Sequence, residues 1–120
     1  LPPIPSVWSG GVMKKDEKRL RDILRAIETI ESYSISTYEE FVNNGKTQDA
    51  ILYNLIIIGE AANQISDDFQ DQYDLIPWSS MIGTRNIIVH GYDQVKLPIV
   101  WEILQRDLVH LKAEIGRAIG

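Results

Sequence analysis

Ile51-Leu52-Tyr53-Asn54-Leu55-Ile56-Ile57-Ile58-Gly59-Glu60-Ala61-Ala62 is the stretch that decides the fold. Its aliphatic residues do not alternate as a strand would require. They lie nearly all round a helix, and the small residues at 59, 61 and 62 follow them. Such a helix is central in a bundle or covered by a second chain, and its small residues let a neighbouring backbone come close. Thr47 followed by Asp49 opens the helix, which is expected to run to about Asp68. Tyr53, Ile57, Glu60 and Gln64 form a second stripe, opposite the main apolar face, that is suited to a dimer partner.

Upstream, Leu20, Ile23, Leu24, Ile27 and Ile30 repeat at the i, i+3, i+4, i+7 spacing of a helix over about Asp16–Tyr33 with one buried stripe. Ser36-Thr37-Tyr38-Glu39 has the Ser-x-x-Glu form of a capping box, and Asn43-Asn44-Gly45 reads as a stop, so a short helix lies between them. Downstream, the acidic run Asp67, Asp68, Asp71, Asp74 reads as a solvated loop, with no suitably spaced His or calcium-loop pattern to make it a metal site. Pro77 suits the first turn of a helix over Trp78–His90, which Gly91 would end in a left-handed cap. Leu97-Pro98 starts a last helix carrying Ile99, Val100, Ile103, Leu104, Leu108, Leu111 and Ile115. No segment keeps period two for long. The expected fold is all-α: a mainly antiparallel bundle of four long helices and one short one.

The whole chain has 120 residues and a formal charge of −5, which suits one globular domain able to bury a core unaided. The absence of Cys excludes disulfides, Cys-ligated zinc, iron–sulfur clusters and thiol catalysis, and fits a cytoplasmic protein. An acidic balance disfavours broad adhesion to nucleic acid or anionic membranes, so any chemistry on RNA must come from a local site. The longest unbroken apolar run, Leu55–Ile58, is far short of a membrane span. Leu1–Val12 is uncharged, contains three Pro, and gives way at Met13 to Lys-Lys-Asp-Glu-Lys-Arg. It is expected to be an expression-tag remnant or disordered leader, with residues 13–120 forming a single helical domain.

Arg85-Asn86-Ile87-Ile88-Val89-His90-Gly91-Tyr92 gathers a permanent cation, an amide, an imidazole and a phenol. At about 100° per residue, Arg85 falls inside an apolar arc with Trp78, Met81, Ile82, Ile88, Val89 and Tyr92, so Tyr92 is expected to border the same cleft as Arg85. An unpaired guanidinium is very costly there, so Arg85 must meet a carboxylate, carbonyls, a second chain or a bound anion. Glu60 on the Ile-rich helix is one candidate partner. Asn86 and His90, at i and i+4, share a neighbouring face about 100–140° away. One straight helix aims Arg85 and His90 poorly at one atom. Either it distorts at Gly91, or two copies meet and each supplies part of one cleft.

The segment resembles the Arg-x4-His-x-Tyr motif of the HEPN superfamily, with Arg85, His90 and Tyr92 at its three positions. Ile58-Gly59-Glu60-Ala61-Ala62, Ile76-Pro77-Trp78 and Val100-Trp101-Glu102-Ile103, in this order, extend the resemblance to the HepT-like (DUF86) branch over most of residues 13–120. The resemblance implies a homodimeric, metal-independent endoribonuclease toxin acting on tRNA or mRNA. It also implies a minimal nucleotidyltransferase antitoxin that adenylylates the motif tyrosine, Tyr92. The residue chemistry is compatible with this and requires no cofactor. RNA carries its own nucleophile, the 2′-OH, leaving the protein to move protons and stabilise a phosphorane. Arg85 and His90 are the expected catalytic pair: His90 moves protons, because an imidazole ordinarily titrates near neutral pH, and Arg85 grips phosphate oxygens. Asn86 could orient His90 or donate to the phosphate, and Glu60 could hold Arg85 in position.

Taken singly, these residues have plainer readings. A His beside a helix-ending Gly favours the helix dipole, and a Tyr there is a core-edge aromatic reaching water. His110, with no motif around it, reads as surface or packing. The alternative function is a non-catalytic helical dimer whose cleft binds a nucleotide or docks a nucleotidyltransferase.

Overall fold

The computed structural model describes residues 12–119. The expected leader, residues 1–12, lies outside the described residues except for Val12, with which α1 (Val12–Ser32) begins, four residues before the expected start. Ser34, at φ 55°, turns the chain out of α1. The short helix α2 (Tyr38–Val42) is capped by Thr37, not Ser36: the Thr37 hydroxyl accepts from the Glu40 N–H, and the Glu40 carboxylate accepts from the Ser36 N–H. The cap sits one residue later than the expected capping box, and the return bond from the Glu40 carboxylate goes to the residue before the cap rather than to the cap itself.

The central helix α3 (Gly45–Asn63) starts two residues before Thr47, because the Asn44 side chain accepts from the Thr47 N–H and so caps it. Asn43-Asn44-Gly45 therefore ends one helix and opens the next within three residues. Only Asp74 of the acidic run lies in a turn; Asp67, Asp68 and Asp71 belong to a further short helix, α4 (Asp67–Gln72), which Ser66 caps by accepting from the Phe69 N–H. Asp67 and Asp68 stand in its first turn, where negative charge favours a helix. The fixing group is the buried Asp16 of α1, whose carboxylate accepts from the Ser66 N–H at 2.9 Å and the Ser66 hydroxyl at 2.6 Å.

Next come α5 (Trp78–His90), at the expected boundaries, and a 3-10 turn at Tyr92–Gln94. The last helix is continuous but not uniform: α6 (Leu97–Glu102) passes through a π-helical stretch, Ile103–Asp107, into α7 (Leu108–Ile119). No strand occurs among the described residues, and the fold is an all-α bundle.

α3 lies between α1 and α5 and runs antiparallel to both. Asp16 meets Ser66 while Tyr33 meets Asn54, and Gly59 meets Met81 and Arg85 while Asp49 meets Tyr92. Leu20, Ile23 and Ile27 of α1, Ile51, Leu55 and Ile58 of α3 and Leu111 and Ile115 of α7 form the buried core. At the far end Phe69 stacks on Tyr73 and meets Trp78 edge-on, and the Trp78 indole N–H donates to the Tyr73 carbonyl. This aromatic plug fixes where α5 begins. Among the described residues no helix is long and apolar enough to cross a membrane.

Candidate active site

The site is set by how closely α3 and α5 cross. A Cβ added at Gly59 would stand 2.2 Å from Arg85 Cβ and 2.6 Å from the Met81 carbonyl oxygen, so only glycine fits this crossing. The contact places Arg85 against α3, one residue from Glu60. Its guanidinium forms an ion pair through Nη2 with the Glu60 carboxylate at 2.9 Å and donates through Nη1 to Asn86 Oδ1 at 2.9 Å. Its Nε–H is buried with no partner among the described residues. The apolar arc expected round Arg85 is present only in part: Trp78, Met81 and Ile88 are buried and Ile82 is partly buried, but Val89 and Tyr92 are exposed, because the C-terminal turn of α5 and the residues after it lie at the surface. Of the open possibilities for partnering Arg85, the structure adopts the carboxylate, aided by an amide on its own helix.

Three expected site residues, Arg85, Glu60 and Asn86, are thus in contact. His90 is not among them. It is exposed at the last position of α5, about 7.5 Å of helical rise beyond Arg85 and about 140° round the helix. Gly91 does not adopt the expected left-handed cap: at φ −139° it donates its N–H to the Ile87 carbonyl and passes directly into the 3-10 turn. A Cβ at Gly91 would meet Ile87 O at 3.4 Å, an ordinary contact, so the turn does not require glycine there.

Tyr92 follows and is 56% exposed. Its hydroxyl donates to Asp49 Oδ1 of α3 at 2.9 Å. That hydrogen bond to a carboxylate is the main cause of a phenol pKa raised above its ordinary value, since it stabilises the protonated form. Asp49 was read in the sequence only as a helix opener. It lies eleven residues before Glu60, a spacing that returns to the same helix face within about 20° and spans about 16 Å. Extending the Tyr53–Ile57–Glu60 stripe one turn upstream reaches it. Arg85 and Tyr92 therefore meet one stripe of α3 at separate points about three turns apart, and do not share a single contact within the chain.

Two grooves flank α5. One, of about 680 Å³, lies along the outer face of α3 beside α1 and reaches Arg85. Tyr53, 63% exposed, stands in it, with Arg19 and Arg25 on the α1 side. The other, of about 900 Å³, lies between α5 and the last helix and is apolar, with Leu75, Ile87 and Ile99 all more than half exposed along it. His110 borders this second groove, so it is a surface residue near an apolar face. Among the described residues, no three His, Asp or Glu side chains gather as a metal-ligating group.

Comparison with known proteins adds to this geometry. Residues 23–118 match the family model described as ribonuclease HepT-like. The chain is 38% identical over 104 residues to "Putative RNase MJ1380" of Methanocaldococcus jannaschii, covering 85% of this chain and 95% of that protein. It is 36% identical over 107 residues to "Probable ribonuclease HepT" of Thermococcus cleftensis, covering 88% and 97% respectively. A 37% identical match over 105 residues covers 47% of "Gamma-glutamylcyclotransferase and putative RNase MJ0434", also of M. jannaschii, so the chain spans about half of that protein. No solved structure matches the chain.

Proposed function

The chain belongs to the ribonuclease HepT-like family, and on that premise we propose that it is an RNA-cleaving toxin of a toxin–antitoxin pair. The observation that carries the reading is Arg85, held half-buried against α3 by Glu60 and Asn86, with His90 and Tyr92 following on the same segment. A guanidinium with one buried, unpaired N–H is poised to exchange partners, because phosphate oxygens can accept two parallel hydrogen bonds. Glu60 holds Arg85 until substrate arrives.

In the proposed reaction the RNA 2′-oxygen attacks the adjacent phosphorus and the bond to the 5′-oxygen breaks. One His90 takes the 2′-OH proton and a second His90 supplies a proton to the leaving oxygen, giving a 2′,3′-cyclic phosphate and a 5′-hydroxyl. The proposal is metal-independent. It needs two copies, because His90 lies about 140° round α5 from Arg85 and one copy does not aim both side chains at one phosphate.

Regulation is proposed at Tyr92. A minimal nucleotidyltransferase would transfer AMP from ATP: the Tyr92 oxygen attacks the α-phosphorus, pyrophosphate leaves, and the phenolic proton passes to Asp49. A phenol whose pKa is raised stays protonated at neutral pH and so needs an acceptor as the new bond forms. The hydrogen bond to Asp49 supplies one. The added nucleotide has a path along the α3 stripe toward Arg85, where its bulk and negative charge oppose RNA entry.

The test is cleavage of tRNA and mRNA by unmodified protein in the presence of a chelator. Arg85→Ala and His90→Ala should each lower the rate by at least about 100-fold, and co-production with the nucleotidyltransferase should add AMP to wild type but not to Tyr92→Phe. Unchanged cleavage in both variants, or none by wild type, overturns the reading. Tight partner binding without any RNA cleavage would favour the non-catalytic docking dimer, which the exposed Leu75, Ile87 and Ile99 also support.

A further inference from the structure

The first helix carries a charge surplus that the proposed chemistry does not use. Between Glu17 and Arg25 it holds four cations, Lys18, Arg19, Arg21 and Arg25, against two carboxylates, Glu17 and Asp22. Glu17 pairs with Arg21, which leaves Asp22 facing three cations: Lys18 at 3.2 Å, Arg19 at 3.6 Å and Arg25 at 3.7 Å. One carboxylate cannot neutralise three cations, so this face is locally positive in a chain of net charge −5. The Arg25 side chain is 76% exposed.

Across the groove from Arg19 and Arg25 stands Tyr53, 63% exposed, on the stripe that leads to Glu60 and Arg85. An aromatic ring offered to solvent beside surplus guanidinium groups is the make-up of a single-stranded nucleic-acid site: any base stacks on the ring, and the cations hold the backbone. The groove volume, about 680 Å³, lies within the range of small-molecule pockets and accommodates a nucleotide. Tyr53 and Glu60 lie on one face of α3 about 10 Å apart in rise.

We infer that the groove between α1 and α3 binds the nucleotide of a single-stranded RNA next to the phosphate gripped by Arg85, its base stacked on Tyr53 and its own phosphate held by Arg25 and Arg19. The identity of the RNA rests on the ribonuclease reading; the groove's affinity for a single strand is tested separately. Duplex RNA, with its bases already stacked, cannot use Tyr53 in this way.

The experiment measures binding of a fluorescent single-stranded oligoribonucleotide to unmodified full-length protein, together with kcat and KM for cleavage. Tyr53→Ala and Arg25→Ala should each weaken binding and raise KM about tenfold with kcat nearly unchanged, whereas Tyr53→Phe should keep wild-type affinity. Arg25→Ala should also flatten the salt dependence of binding by about one unit of log–log slope. Both sites are exposed, so the variants should fold, and melting curves should match wild type. Wild-type affinity in both alanine variants, or Tyr53→Phe as weak as Tyr53→Ala, overturns the inference. Loss of self-association on Tyr53→Ala without loss of RNA affinity also overturns it, assigning the face to a second copy. Cleavage that is absent in wild type while Tyr53-dependent binding persists fells the ribonuclease reading and leaves the groove assignment standing.

Discussion

At the C-terminal end of α3, Gly59 lets α5 approach until no Cβ could be inserted, and a buried Asp16 carboxylate ties the following turn to α1; at the N-terminal end, one solvent-facing hydrogen bond from Tyr92 to Asp49 joins the same two segments. The closed end carries Arg85 and Glu60, and the open end carries Tyr92. The phosphate grip proposed for Arg85 benefits from rigid placement, since misplacement by about 1 Å can cost roughly 100-fold in rate. The modification proposed for Tyr92 by a second enzyme needs exposure instead. One helix can support both because its close crossing with α5, at Gly59, lies at one end.

The contrast is most directly broken by Gly59→Ala. The added methyl meets the Met81 carbonyl and the Arg85 Cβ, neither of which can swing aside as a side-chain tip would. The helices must separate, with a net loss of about 3 kcal/mol in denaturant unfolding and displacement of Arg85 from Glu60. Wild-type stability in this variant would show that the crossing tolerates a larger residue. Asp16→Ala probes the same end: it leaves the Ser66 N–H without its acceptor and should cost about 2 kcal/mol, read as a lower urea midpoint at unchanged slope.

Asp49→Asn probes the open end, and its effect on stability should be small, less than about 0.5 kcal/mol at neutral pH. Its signature is in titration. With the carboxylate gone, the Tyr92 pKa falls back toward its ordinary value, read as tyrosinate absorbance against a Tyr92→Phe blank. The wild-type pKa is raised on folding, so the stability this bond contributes is complete below pH 10 and is lost as pH rises through the folded value. Wild type and variant should therefore converge in stability at high pH.

Much of the helical layout was legible before any coordinates. The run Ile51–Ala62 does form the central helix, and Pro77 and Leu97-Pro98 do mark where α5 and the last helix begin. The misplaced details were decided by contacts made far along the chain. The Asp67–Gln72 segment is helical because Asp16, fifty residues earlier, holds its Ser66 cap. The Gly91 turn avoids the left-handed region as the following residue reaches Asp49, 43 residues upstream. The π-helical stretch at Ile103–Asp107 left no mark in the spacing of its apolar residues.

The candidate site divides in the same way. Arg85 inside an apolar arc required a partner, and the sequence narrowed the choice to a few groups, Glu60 among them, because an unpaired guanidinium is too costly to leave in apolar surroundings. That Glu60 is the partner, that Gly59 admits Arg85 to it, and that Asp49 holds Tyr92 were decided by the antiparallel crossing of α3 and α5. Periodicity fixes which face of a helix a residue occupies. Only packing fixes which residue of another helix faces it, since the axial register of two helices depends on the shapes of all the side chains between them.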